Sequence, residues 1–175
     1  MRTDFKIPKE LSNGVVDFAL NTGVQYFTKN PIGAGRRFCN INRVDIPLTN
    51  AIKQFAQECY SNLNVAVKEE HLLGNFIGVN FENAFVHQHI DQRNNENDWH
   101  VRLNFMVQKP DSGGDVLIQG NQYSIDEGCS WINFASEWKH GSTPVIGKRE
   151  RIVLSLGNYI QQSDAKRLLE LYNIE

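Results

Sequence analysis

Two of the five histidines in this 175-residue chain fall in a stretch with metal-binding spacing, Phe85-Val86-His87-Gln88-His89-Ile90-Asp91. In an extended strand successive side chains alternate faces, so His89 and Asp91 point the same way while Ile90 packs behind them. Far downstream lie Trp138-Lys139-His140-Gly141 and the basic, apolar run Arg149-Glu150-Arg151-Ile152-Val153-Leu154-Ser155-Leu156. Together these segments offer two imidazoles, a carboxylate and a guanidinium. A second histidine brought in from another strand would complete a set of two histidines and one carboxylate on one face of a metal, with the opposite positions open. That geometry suits ferrous iron and oxygen chemistry.

The elements that must position these groups are short. After an extended lead, Pro8 to Leu20 reads as an amphipathic helix with Leu11, Val15 and Phe18 on one side. A glycine-rich turn, Pro31-Ile32-Gly33-Ala34-Gly35, lacks the lysine and hydroxyl residue of a phosphate-binding loop and reads as a plain turn. A second helix runs from about Leu48 to Leu63, with Ile52, Phe55, Ala56 and Tyr60 spaced to line a buried face. From Val65 onward the pattern predicts strands: Leu72–Asn80, Ala84–Asp91, His100–Gln108, Gly113–Ile118, Cys129–Phe134 and Arg151 to about Ile160. A closing helix is expected over Ala165–Tyr172. Short strands joined by turns, without helices between them, favour an antiparallel sandwich or jelly roll. The fold class is therefore α+β.

Composition bounds the rest. The length is that of a single domain able to enclose a continuous core, expected over residues 1–175. A net charge of -2 gives no reason to expect nucleic acid as a partner. Three cysteines without paired spacing point to reduced thiols and a cytoplasmic setting. No signal-peptide core opens the chain and no segment is apolar enough to span a bilayer, so a soluble protein with no membrane partner is expected.

Downstream of Asp91 the motifs keep a particular order. An arginine heads the strand Arg102-Leu103-Asn104-Phe105-Met106, a Gly113-Gly114 turn leads into another strand, and Gly128 to Phe134 follows. Then come His140, Thr143-Pro144-Val145 and the basic strand ending in Ser155. In this order and spacing the chain resembles the 2-oxoglutarate- and Fe(II)-dependent dioxygenases, in their prolyl-4-hydroxylase-like branch, from about Asn75 to Ile160. The resemblance implies a double-stranded β-helix core of cupin-like type over about 75–160, flanked by N-terminal helices and a C-terminal helix. It also implies that His89, Asp91 and His140 bind the iron, and that a basic residue on the last core strand holds the distal carboxylate of 2-oxoglutarate.

Arg149 and Arg151 share strand parity, so alternation alone does not separate them. The family's inward row on the final strand fits Arg151, Val153, Ser155 and Gly157, which favours Arg151, with Arg149 as the alternative. A guanidinium offers two parallel donors to a carboxylate and keeps its charge when desolvated. Ser155 would add a hydrogen bond. Where relatives often place a tyrosine for that carboxylate this chain has Met106, with Asn104 or Arg102 as substitutes of the same parity. His87, Arg102 and Trp138 are candidates for the substrate pocket, and Trp138 precedes His140 by two. His71 and His100 read as ordinary surface or core-edge histidines.

The activity implied is hydroxylation of a prolyl, other peptidyl or amino-acid substrate, using Fe(II), 2-oxoglutarate and O2, with release of succinate and CO2 and with ascorbate as a reductant. So short a chain favours a peptide or protein substrate. Two other readings compete. His87-x-His89-x-Asp91 also mimics the metal motif of metallo-β-lactamase-like hydrolases, but Gln92 stands where a histidine would follow and the alternating helices are missing. A non-catalytic cupin-like metal-binding module would keep the jelly roll and fail to turn over 2-oxoglutarate.

Overall fold

Apolar and polar residues alternate through two long runs, Asp98–Gln108 and Arg151–Gln161, and both become strands buried along almost their whole length. The structure, a computed structural model, describes residues 2–29, 35–71 and 73–171. In chain order its elements are β1 (Arg2–Lys6), α1 (Lys9–Asp17), β2 (Thr28–Lys29), β3 (Arg36–Asn40), α2 (Pro47–Asn62), β4 (Val67–Glu69), β5 (Phe76–Asn80) and β6 (Val86–His89). There follow β7 (Asp98–Gln108), β8 (Ser112–Gly113), β9 (Val116–Ile118), β10 (Asn121–Tyr123), β11 (Cys129–Phe134), β12 (His140–Ser142), β13 (Val145–Ile146), β14 (Arg151–Gln161) and α3 (Gln162–Leu171).

The larger sheet has eight strands in the order β1-β11-β7-β14-β5-β3-β2, with β4 added at the end of β14. A smaller sheet, β10-β9-β12-β6, carries the strands that bear His89 and His140. Every strand pair among the described residues is antiparallel. This is the jelly-roll, double-stranded β-helix arrangement that the strand pattern and the resemblance led one to expect. A layered α/β hydrolase would need helices between parallel strands, and among the described residues no strand pair is parallel.

Alternation sorts each strand of the larger sheet into two populations. Ile77 and Val79 of β5, Val101, Leu103, Phe105 and Val107 of β7, and Ile152, Leu154 and Leu156 of β14 join one continuous core. The helices α1, α2 and α3 pack on that face, α2 contributing Ile52, Ala56, Cys59 and Tyr60. Their alternate neighbours, among them Arg102, Asn104, Arg151, Val153 and Ser155, turn into the space between the sheets. A smaller apolar cluster of Met106, Val116, Ile118, Ile125, Trp131 and Val153 closes part of that space.

The N-terminal elements differ from expectation in two places. The extended lead is an edge strand, β1, paired with β11. The first α-helix stops at Asp17 and widens into a π turn over Phe18–Thr22. There Gly23 N–H returns to the Phe18 carbonyl at 2.8 Å, and the Phe18 ring covers the space a Cβ on Gly23 would need. At α2, Thr49 Oγ1 accepts the Ile46 N–H (3.1 Å) and donates to the Val44 carbonyl (2.7 Å), tying down the entry turn. The glycine-rich turn at 31–34 lies outside the described residues. Among those residues no helix is long and apolar enough to cross a membrane.

Tyr60 links α2 to the central strand, its buried hydroxyl donating to the Leu156 carbonyl at 2.7 Å. Tyr60→Phe is expected to lower unfolding free energy by about 1 kcal/mol, the net worth of such a bond. Denaturant titration checks this, and an unchanged midpoint would mean that the hydroxyl does not anchor the helix.

Candidate functional site

Cross-strand pairing brings the two histidines together. β12 lies between β9 and β6, and His140 is the register partner of His89. Directly opposed residues share a face, and the two imidazole centroids stand 4.4 Å apart. The strand ends at His89, so Asp91 is held instead by its backbone N–H, which donates to the Ala135 carbonyl at 2.8 Å. Asp91 Oδ1 then lies 3.2 Å from His89 Nε2 and 3.9 Å from His140 Nε2. One ligand atom from each of the three residues falls within 4.8 Å of the others.

The tautomers follow from the backbone. His89 Nδ1–H donates to the His87 carbonyl (2.7 Å) and His140 Nδ1–H to the Trp138 carbonyl (2.9 Å). A carbonyl only accepts, so both rings are protonated at Nδ1 and turn Nε2 toward Asp91. Burial pushes His140 down to about 4, so it is neutral near neutral pH. The hydrogen bond to Asp91 raises His89. At Asp91 burial favours the neutral acid, but hydrogen bonds from His100 and His89 and the charge on Arg102 outweigh it and hold the carboxyl well below its ordinary range. Two imidazole nitrogens and an ionised carboxylate oxygen converging within 4.8 Å make a donor set that fits a divalent cation.

Behind Asp91 stands a buried polar network. Asp91 Oδ2 accepts from Arg102 Nε at 3.3 Å and from His100 Nδ1 at 3.2 Å. Arg102 continues to Glu70 Oε2 (3.1 Å), the Gly74 carbonyl (3.1 Å) and Ser155 Oγ (3.4 Å), and its guanidinium lies over the Phe76 ring. Glu70 in turn accepts the Leu73 and Gly74 backbone N–H groups at 3.0 and 2.7 Å. Outer groups of this kind fix the orientation of a ligating carboxylate. Thus Arg102, expected in the substrate pocket, lines the cavity while its donors serve Asp91 and Glu70. His100, read as an ordinary histidine, is buried against Asp91. Its parity with Arg102 and Asn104 was the available signal; Glu70, arriving from a loop, had none.

A cavity of about 380 Å³ adjoins the triad. His89, Asp91 and His140 line it, as do Asn104, Val153, Ser155 and Arg151. Arg151 is buried, donates from Nε to the Gly114 carbonyl at 2.7 Å, and forms no ion pair among the described residues. Burial first, then the nearby charge of Arg36, lowers its pKa to about 10. Gly114 makes room for it, since a Cβ there would stand 2.9 Å from Arg151 Cδ. Arg149 lies outside the cavity, bonded to Glu127 (2.8 Å) and the Lys109 carbonyl (2.5 Å). His87 is exposed at the rim with its ring against Phe85. Trp138 is off the cavity wall, packed edge-on against Phe134, and acts on the site through its carbonyl. The Asn80 Nδ2 and Asn133 Oδ1 atoms, on two buried cavity residues, have no hydrogen-bond partner among the described residues.

No family model and no curated protein matches the sequence. Solved structures do match. A prolyl-4-hydroxylase from Pseudomonas putida superposes with a TM-score of 0.65 at 15% identity, over 93% of this chain and 92% of that one. The viral collagen prolyl hydroxylase of Paramecium Bursaria Chlorella virus-1, solved as a 2OG complex, gives 0.64 at 12% identity over 92% and 94%. A Trichoplax adhaerens prolyl hydroxylase, solved with a hypoxia inducible factor peptide fragment, gives 0.65 at 15% over 94% and 84%. The fold is that of the prolyl-4-hydroxylase-like 2-oxoglutarate/Fe(II) oxygenases. At such low identity the likeness is one of fold, and the chemistry has to be argued from this chain's own side chains.

Gly157 shows how tightly the network is built. A Cβ there would lie 2.5 Å from Arg102 Nη1 and 2.8 Å from the Gly74 carbonyl oxygen. Gly157→Ala is expected to cost about 1–3 kcal/mol of stability, as overpacking does. An unchanged denaturation midpoint would show that Arg102 has space to move.

Proposed function

We propose that the chain is a single-domain Fe(II)- and 2-oxoglutarate-dependent dioxygenase that hydroxylates a prolyl, other peptidyl or amino-acid substrate and releases succinate and CO2. One observation carries the reading. A two-histidine, one-carboxylate cluster and a buried guanidinium that forms no ion pair among the described residues line the same cavity. In this reading His89, Asp91 and His140 hold the metal and are the catalytic residues. Iron, when bound, supplies activation of O2 coupled to decarboxylation of the 2-oxo acid.

The remaining residues bind, orient and exclude water. Arg151 takes the distal carboxylate of 2-oxoglutarate, the role for which Arg149, engaged outside the cavity, is poorly sited. Ser155 and Asn104 flank that carboxylate's path as polar wall. Asn104 Nδ2 is tied to the Arg102 carbonyl at 3.2 Å, which leaves its oxygen as the freer group. Apolar Val116, Ile118, Trp131 and Val153 keep the interior dry, which strengthens every charge interaction there. Exposed Phe85, His87 and Ile90 beside the triad offer a rim for an extended ligand. The Trichoplax enzyme's peptide complex supports a peptide as substrate class. Ascorbate would serve to return oxidised iron to the ferrous state.

Incubation of the purified protein with Fe(II), 2-oxoglutarate and air should yield succinate. His140→Ala, leaving two ligands, should abolish it. Arg151→Met should raise the 2-oxoglutarate requirement about 10- to 100-fold, the worth of a charge-assisted hydrogen bond, while Arg149→Met leaves it unchanged. Succinate release that survives His140→Ala would refute the assignment, and the reverse arginine ranking would move the anchor to Arg149.

A further inference from the structure

Asn80 stands in the middle of a row that crosses three adjacent strands. It is the register partner of Arg151 on β14 and of Arg36 on β3. Directly opposed residues of antiparallel strands are about 5 Å apart and share a face. The two arginines therefore spring from points about 10 Å apart, one on either side of a single amide. All three side chains line the cavity. Neither arginine forms an ion pair among the described residues, although the charge of Asp115 acts on Arg151 through space. Among the described residues Arg151 hydrogen-bonds only through its Nε, to the Gly114 carbonyl, and Asn80, 3% exposed, has an Nδ2 with no acceptor.

Such an arrangement is costly in an empty cavity. Two positive charges approach one another in a partly desolvated space, and an amide donor is buried unpaired. A carboxylate seated over Asn80 removes both penalties at once, since it accepts from the amide and from a guanidinium on each side. We propose that Arg36 and Asn80 join Arg151 as a three-donor clamp on the distal carboxylate of 2-oxoglutarate. Arg36 then supplies the second anchor that the apolar Met106 does not provide. This inference rests on the cosubstrate reading of the cavity, and it assigns a specificity role to β3, a strand outside the motif-bearing part of the chain.

The test compares two ligands that differ only at the clamp. 2-Oxoglutarate and 2-oxovalerate share the 2-oxo acid end, and only the former has a distal carboxylate. Each is titrated calorimetrically into Mn(II)-loaded protein, wild type and variants, with unfolding midpoints recorded to verify that each variant is folded. Arg36→Met and Asn80→Ala should each weaken 2-oxoglutarate about tenfold or more and leave 2-oxovalerate unchanged, with Arg36→Lys recovering part of the loss. Wild-type protein that binds 2-oxoglutarate, with Arg36→Met binding it equally well or losing both ligands alike, would overturn the clamp and leave the cosubstrate reading standing. Wild-type protein that binds neither ligand would overturn both.

Discussion

Two eleven-residue strands, β7 and β14, lie side by side at the centre of the larger sheet and are buried on both faces. Period-two alternation then leaves no choice about where their polar residues go. One face is filled by Val101, Leu103, Phe105, Ile152, Leu154 and Leu156 against the helices. Arg102, Asn104, Arg151 and Ser155 are consequently driven into the space between the sheets, where an unpaired polar group costs about 1–3 kcal/mol. The rest of the site is an answer to that constraint.

The answer takes two forms in one cavity. Around Asp91 most of the demand is met internally: Arg102 bonds both Asp91 and Glu70, and His100 Nδ1 faces the carboxylate's second oxygen while the first faces the two Nε2 atoms; His100 Nε2, 4.0 Å from Glu70 Oε2, has no hydrogen bond among the described residues. Around Asn80 less of it is met: among the described residues two guanidiniums form no ion pair and an amide lacks an acceptor. A mostly paired network suits residues that must hold still, and a more open one suits residues that can take a ligand. The contrast gives the cavity a direction, from the braced carboxylate of Asp91 to the unpaired amide of Asn80.

Much of this was legible from pattern. The alternation in Arg151–Leu156 and Arg102–Met106 specified which side chains turn inward, and the His89-x-Asp91 spacing with a distant histidine specified the cluster. What pattern could not supply was pairing across strands. Arg149 and Arg151 share parity, and only the hydrogen bonds of Arg149 to Glu127 and the Lys109 carbonyl put it outside the cavity. His100 was underread because a single histidine in an apolar strand has a bland explanation, and Glu70 because its partners come from loops and from a strand 32 residues away in sequence. Arg36 acquires meaning only through its register with Asn80.

The central claim is that one metal ion held by His89, Asp91 and His140 is chelated by a 2-oxo acid whose far end is anchored in the same cavity. Anaerobic visible spectroscopy addresses it most directly. Addition of Fe(II) and 2-oxoglutarate together should produce a weak charge-transfer absorption that neither produces alone. A colourless mixture at saturating concentrations of both, with the protein folded, would contradict the account.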